Sequence, residues 1–309
     1  MGEAVAVDGP ANRGMAGAMM SSAPDPVTPF DLTLPAGEAG ALVFASPHSG
    51  ALLPDDFGPV AGLAPTSLRS AEDALVDRLI SSAPDVGIPV IAGRISRAYL
   101  DLNRAPDELD PALIEDCPGV GPGSAKVQAG FGVIARRAGD GAALYDRRLT
   151  LEEAKGRVAR VHEPYHAALA ERMEAARASR GVAILMDWHS MPSRAAGGQG
   201  RGRGGRSSRS VDVVIGDRHG SSCSARVTRR LRALFEGLGW IVGLNQPYAG
   251  GYSTQIWGRP EAGFQAIQIE LNRALYFDEL RLEPSADYDR TRTALGRIIA
   301  SLAADDWRL

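Results

Sequence analysis

Residues 181–190, GVAILMDWHS, are the clearest buried strand in the sequence: an apolar run bounded by Gly181 and ending at His189. Short continuous apolar runs of this kind suit strands covered on both faces, as in parallel sheets. Working outward, ALVFASPHSG at 41–50 ends in a polar turn that delivers His48, while VDVVIGD at 211–217 and QAIQIELNR at 265–273 repeat the form. IPVIAG (88–93), AYLDLNR (98–104) and WIVGLNQPY (240–248) also read as strand material. Helical patterns separate them. Residues 67–82 place Leu68, Ala71, Leu75, Val76 and Leu79 at helical spacing. Further helices are read at about 151–178, at 224–239 with Gly239 as a stop, and at about 287–303. Pro164 should kink the first of these by removing a backbone donor. Strands alternating with helices predict an α/β fold: a mixed, mainly parallel sheet flanked by helices.

The rest of the 309 residues narrows the class. Residues 1–35, rich in Ala, Gly, Pro and Ser without periodicity, read as a flexible tail, leaving 36–309 as one catalytic α/β domain. Two cysteines, Cys117 and Cys223, lie far apart, which excludes a disulfide scaffold and a Cys-rich zinc ribbon and fits a cytoplasmic protein. A membrane span is not expected, because no apolar run reaches about 18 residues. The net charge of −3 argues against a general nucleic-acid binder. Residues 193–210, SRAAGGQGRGRGGRSSRS, read as a flexible Arg/Gly-rich insertion, with an RGG-type nucleic-acid segment as the rival.

His48, His189 and Glu270 all fall at or near strand ends, where open α/β sheets bind their ligands. Two histidines with a third carboxylate or histidine would make a catalytic zinc site with one position left for water. Glu72 and Asp73 are the candidates for the third ligand, and Asp187 shares a strand face with His189 as a supporting group. In RISRAYLDLNR, Arg97, Asn103 and Arg104 cluster as a site for a dianionic substrate would require. The bland reading pairs those arginines with Asp101 or Asp107. His162-Glu163-Pro164-Tyr165-His166 matches the zincin pattern H-E-x-x-H literally, but that pattern needs an uninterrupted helix.

Taken in order, Ser46-Pro47-His48-Ser49-Gly50, Ser96-Arg97, Asp101-Leu102-Asn103-Arg104, Tyr165-His166, Asp187-Trp188-His189-Ser190-Met191-Pro192, the run from Asn245 to Tyr252, and Gln268-Ile269-Glu270-Leu271-Asn272-Arg273 resemble the N-formylglutamate amidohydrolase family. The resemblance covers about residues 40–280. It implies a zinc-exopeptidase, phosphorylase/hydrolase-like architecture and a metal-dependent release of formate from N-formyl-L-glutamate, late in histidine breakdown. It also implies that His48, Asp73 and His189 hold one divalent ion, Zn2+, and that Glu270 is the general base. On that footing Arg97 stabilises the oxyanion and Arg104 with Asn103 holds one substrate carboxylate. Arg273 or His166 holds the other, and Tyr252 completes the substrate-binding set. Three rivals remain: the same machinery on another N-acyl amino acid or short peptide, a zinc-binding protein without catalysis, and the RGG-type binder.

Overall fold

In a computed structural model of the chain, which describes Met1 and residues 28–117, 124–197 and 210–307, the apolar runs become a seven-stranded sheet. Its strands are β1 (Phe30–Thr33), β2 (Leu42–Ser46), β3 (Val90–Gly93), β4 (Ala183–Met191), β5 (Val213–Gly216), β6 (Val242–Leu244) and β7 (Phe264–Asn272). Their spatial order is β1-β3-β2-β4-β7-β5-β6. β3, β2, β4 and β7 are mutually parallel, β1 and β5 join antiparallel at either side, and β6 runs parallel to β5. The sheet is therefore mixed and mainly parallel, as the alternation predicts. Among the described residues no helix is long and apolar enough to cross a membrane.

The helices are α1 (Pro65–Leu68), α2 (Val76–Leu79), α3 (Ala125–Gln128), α4 (Leu151–Arg157), α5 (Glu163–Arg180), α6 (Ser193–Ala196), α7 (Ala225–Gly237), α8 (Tyr252–Trp257) and α9 (Tyr288–Ala304). Alternation along each strand divides the core. Ile184, Met186 and Trp188 of β4 pack with Ile267, Ile269 and Leu271 of β7 against residues of α2, α7 and α9. Ala183, Leu185 and Ala266 face the other way, onto α5 and the segment between β3 and α4. Toward the strands' C-terminal ends this second face turns polar, with Asp187, His189, Gln268 and Glu270 continuing the same stripe while staying buried. The site is built where the apolar stripe stops.

Four expectations meet different local structure. Within the stretch read as a tail, Phe30–Thr33 pair with β3, while residues 2–27 lie outside the described residues, as do 198–209 of the Arg/Gly insertion. The helix expected over 67–82 is broken: Leu75 takes φ +65°, and the Asp73 N–H donates to His48 O at 2.9 Å instead of to a preceding turn. The strand expected over 98–104 is a series of turns, because Asp101 Oδ1 accepts the Asn103 N–H at 2.8 Å and competes with any ladder. Pro164 sits in the first turn of α5, directly after a π-helical turn at Val158–His162, so the wider turn adjoins the missing donor.

α4 is tied to the loops that carry Phe57, Tyr99 and Tyr145 through Arg157, only 1% exposed. Its guanidinium lies 4.2 Å from the Tyr99 ring centre and donates to Tyr145 Oη at 2.7 Å, Phe57 O at 3.1 Å and Asp56 O at 3.2 Å. Replacing it with methionine keeps the stem but strands those acceptors, so Arg157→Met should cost about 3 kcal/mol in urea unfolding. A change below about 1 kcal/mol would show that these contacts are not what fixes α4.

Candidate active site

β2 ends at Ser46, and Pro47-His48-Ser49-Gly50 turns across the edge of β3. A Cβ on Gly50 would fall 2.3 Å from the carbonyl carbon of Arg94, so only glycine lets the turn lie this close and carry His48 inward. Beside it, β4 presents His189, whose Cα partner across the parallel ladder is Glu270 of β7. The broken helix after His48 supplies Asp73. Glu72 is turned away, with both oxygens held by Arg69 at 2.7 and 2.9 Å.

These elements bring three ligand atoms together in a buried triangle. His48 Nδ1 and His189 Nδ1 are 3.1 Å apart, and Asp73 Oδ2 lies 3.3 Å from the first and 3.0 Å from the second. Ligands at zinc's usual distances of about 2.0–2.1 Å stand about 3.3 Å apart at the corners of a tetrahedron. The donor set, two imidazole nitrogens and one carboxylate oxygen, fits a divalent metal in spacing and in chemistry. Among the described residues this is the one such group; His162 and His166 of the H-E-x-x-H match belong to none.

Each ligand is held from behind. His48 Nε2 donates to Asp101 Oδ1 at 2.7 Å, which leaves Nδ1 as the lone pair facing the triangle. His189 Nε2 stands 3.0 Å from Asp187 Oδ2, and Asp73 Oδ1 accepts from Ser190 Oγ at 3.0 Å and Arg273 Nη2 at 3.4 Å. Burial alone would raise Asp73 and Asp101. The hydrogen bond from His189 nevertheless holds Asp73 well below the usual carboxylate range, and the charge of Arg97 does the same for Asp101. Burial likewise opposes a charged His189, but Asp187 and Asp73 hold it above the usual histidine range. Glu270 goes the other way: burial, with the nearby Asp73 charge, pushes its carboxyl up to about 7 despite His189, Arg97 and the 2.7 Å hydrogen bond from Gln268.

The remaining residues fall into two groups. Arg97 donates through Nε to Asp101 Oδ2 at 2.9 Å, and its charge is felt by both Asp101 and Glu270. The Arg104 guanidinium makes no hydrogen bond to any described residue: its buried Nε lacks a hydrogen-bond partner, with Asp101 at 3.8 Å and Glu108 at 3.9 Å. Asn103 lies between, accepting the Ser253 N–H at 2.9 Å, its Nδ2 3.2 Å from His189 Nε2. The second group sits one layer back. His162 Nε2 and His166 Nε2 donate to Arg104 O at 2.9 Å and Leu102 O at 2.8 Å, clamping the backbone on either side of Asn103, with the Tyr252 ring packed on both. Burial and the neighbouring His162 lower His166 to about 4, so it is neutral at physiological pH. Every nitrogen of Arg273 is engaged inside the protein, with Ser190, Ser70 and Asp73.

The sequence pattern of the N-formylglutamate amidohydrolase family matches residues 40–277, which takes in every residue of this site. The chain belongs to that family. Among solved structures it is similar to N-formylglutamate amidohydrolase from Ralstonia eutropha JMP134, at 35% identity and a TM-score of 0.82 over 90% of this chain and 98% of that one. It also resembles the N-formylglutamate deformylase of Pseudomonas aeruginosa, at 29% identity over 85% of this chain and 92% of the relative. That of Pseudomonas putida is 28% identical over 77% and 82%.

Three residues of this family member escape a sequence reading. Asp101 is legible only as a surface partner for arginine, yet it is 3% exposed and orients His48. Tyr248 packs on Met191 and Val214 close enough for Glu270, Arg97, Asp73 and Arg273 to act on its hydroxyl, which burial pushes above the usual range. Lys126 stands near Arg104 and Arg97. Zinc titration tests the triangle: one equivalent should bind the unaltered protein and the Glu72→Gln variant alike. Binding should weaken at least a hundredfold in Asp73→Asn or His189→Ala, and equal loss in Glu72→Gln would move the third ligand.

Proposed function

We propose that the chain is a metal-dependent amidohydrolase that cleaves N-formyl-L-glutamate, with water, to formate and L-glutamate. The observation that carries the reading is the buried triangle of His48, Asp73 and His189 beside a carboxyl of near-neutral pKa, Glu270, and a guanidinium, Arg104, that makes no hydrogen bond to a described residue. The names of the related proteins from Ralstonia and Pseudomonas support the substrate. His48, Asp73 and His189 would hold a divalent metal such as zinc, which when bound would supply Lewis acidity and lower the pKa of a bound water.

The protein's own groups do the rest. Glu270, fixed by Gln268 next to His189 in the ladder, takes the proton from the attacking water and returns it to the departing amine. A pKa near the working pH suits both halves of that task. Arg97 has its Nε bound to Asp101, leaving the end of the fork to meet the oxyanion that develops from the formyl oxygen. Arg104, whose guanidinium hydrogen-bonds to no described residue, holds the α-carboxylate beside Asn103 and Tyr252. His166 and Arg273 serve from behind, the first by clamping the Asn103 backbone and the second by bracing Asp73.

Formate release measured with zinc-loaded protein tests the chemistry. Glu270→Gln should keep the metal and lose about 10²–10⁴-fold in kcat; loss of the metal instead would make Glu270 a ligand. Arg104→Ala should lower kcat/KM for every N-formyl amino acid tried, because all share the α-carboxylate. A loss confined to N-formylglutamate would move Arg104 to the side-chain carboxylate.

A further inference from the structure

A dianionic substrate needs a second cation, and the residues already assigned leave that place open. Arg97 is tied to Asp101, Arg273 has a protein partner on each nitrogen, and His166 is neutral with Nε2 spent on Leu102 O. The chain has only two lysines, and Lys155 lies in the last turn of α4. The other, Lys126, lies on α3.

α3 is fixed against the Arg104 loop by a chain of short contacts. Ser124 caps its first turn and donates to Glu108 Oε1 at 2.9 Å, and that same oxygen stands 3.9 Å from Arg104 Nη1. Glu108 Oε2 accepts the Ala105 N–H at 3.1 Å. Beyond α3, the Phe131 N–H closes on Lys126 O at 2.8 Å, Val133 N donates to Glu108 O at 2.9 Å, and Asp101 N donates to Val133 O at 2.8 Å. Val127, 2% exposed, pins the helix from below. The Lys126 amine has no hydrogen-bond or ion-pair partner among the described residues, while its neighbours include the like charges of Arg104 and Arg97. Although the side chain is exposed at the surface, the surrounding protein and then those two arginines lower its affinity for a proton, against the pull of Asp101 and Glu270.

Arg97 and Arg104 share Asp101, and Glu108 stands 3.9 Å from Arg104, so among the described residues Lys126 is the cation of the three without a carboxylate in ion-pair contact, and an arriving anion relieves its repulsion from the two arginines. Arg104 comes from the loop and Lys126 from the helix, the two elements being joined through Glu108 and Ser124, which suits a ligand carrying two separated carboxylates.

We propose that Lys126 binds the side-chain carboxylate of the substrate and so sets the preference for an acidic N-formyl amino acid. This inference rests on the amidohydrolase reading above. Lys126 touches substrate away from the reacting atoms and acts through KM more than kcat.

N-formyl-L-glutamine, isosteric with N-formyl-L-glutamate but neutral at the side chain, separates the two effects. With zinc-loaded protein, Lys126→Met should lower kcat/KM for N-formylglutamate by about 10- to 100-fold, the loss of one charge-assisted hydrogen bond. The glutamine analogue should stay within about threefold, and Lys126→Arg should restore most of the glutamate rate. The KM for N-formylglutamate should also rise with salt less steeply in Lys126→Met than in the unaltered enzyme. A glutamate-to-glutamine ratio unchanged by Lys126→Met overturns the inference and leaves the amidohydrolase reading intact. An unaltered enzyme that releases no formate from N-formylglutamate overturns both.

Discussion

Everything in this site depends on keeping three electron-rich atoms within 3.3 Å of one another inside the protein. Stripped of their protons to receive a metal, two imidazole lone pairs and a carboxylate oxygen would repel at that distance, and burial removes the water that would screen them. The triangle holds because each member is gripped from outside by a group of opposite polarity: Asp101 and Asp187 behind the histidines, Ser190 and Arg273 behind Asp73. The grip also selects the tautomer. With the His48 proton drawn to Asp101, a lone pair must face the centre.

Around this core, charge is distributed by depth. The buried floor carries Asp73, Asp101, Asp187 and Glu270, while Arg97 and Arg104 stand nearer the opening with side chains 30% and 18% exposed. A chain of net charge −3 thus turns a locally positive rim toward the opening and keeps these negative groups on the buried floor. The shift of Glu270 to about 7 follows from the same layering, since it shares the floor with Asp73 and lacks a direct ion pair.

Much of this was legible in the sequence because it lies on strands. The apolar runs ending in His48, His189 and Glu270 announce both the sheet and the edge where ligands bind, and period-two alternation puts Asp187 on the face of His189. What escaped lies where side chains, and not backbone periodicity, decide the conformation. Apolar spacing over 67–82 argues for one helix, but Asp73 is pulled out of it by partners from β4 and from the turn after β7, and no local rule separates it from Glu72. AYLDLNR has strand composition, yet Asp101 folds it into turns. The H-E-x-x-H match is a pair of clamps on a neighbouring backbone. Lys126 has no motif around it and is recognisable only once α3 is placed beside Arg104.

The order of strands also bears on how the protein is made. β7, nearly the last element synthesised, is inserted between β4 and β5, so β5 and β6 reach the rest of the sheet only through it. Until residue 272 has left the ribosome, a nascent chain carries His48, Asp73 and His189 but lacks the strand that covers the open edge of β4. Closure of the sheet therefore waits on β7, and any fragment ending before it carries His48, Asp73 and His189 without the strand that lines them up with Glu270.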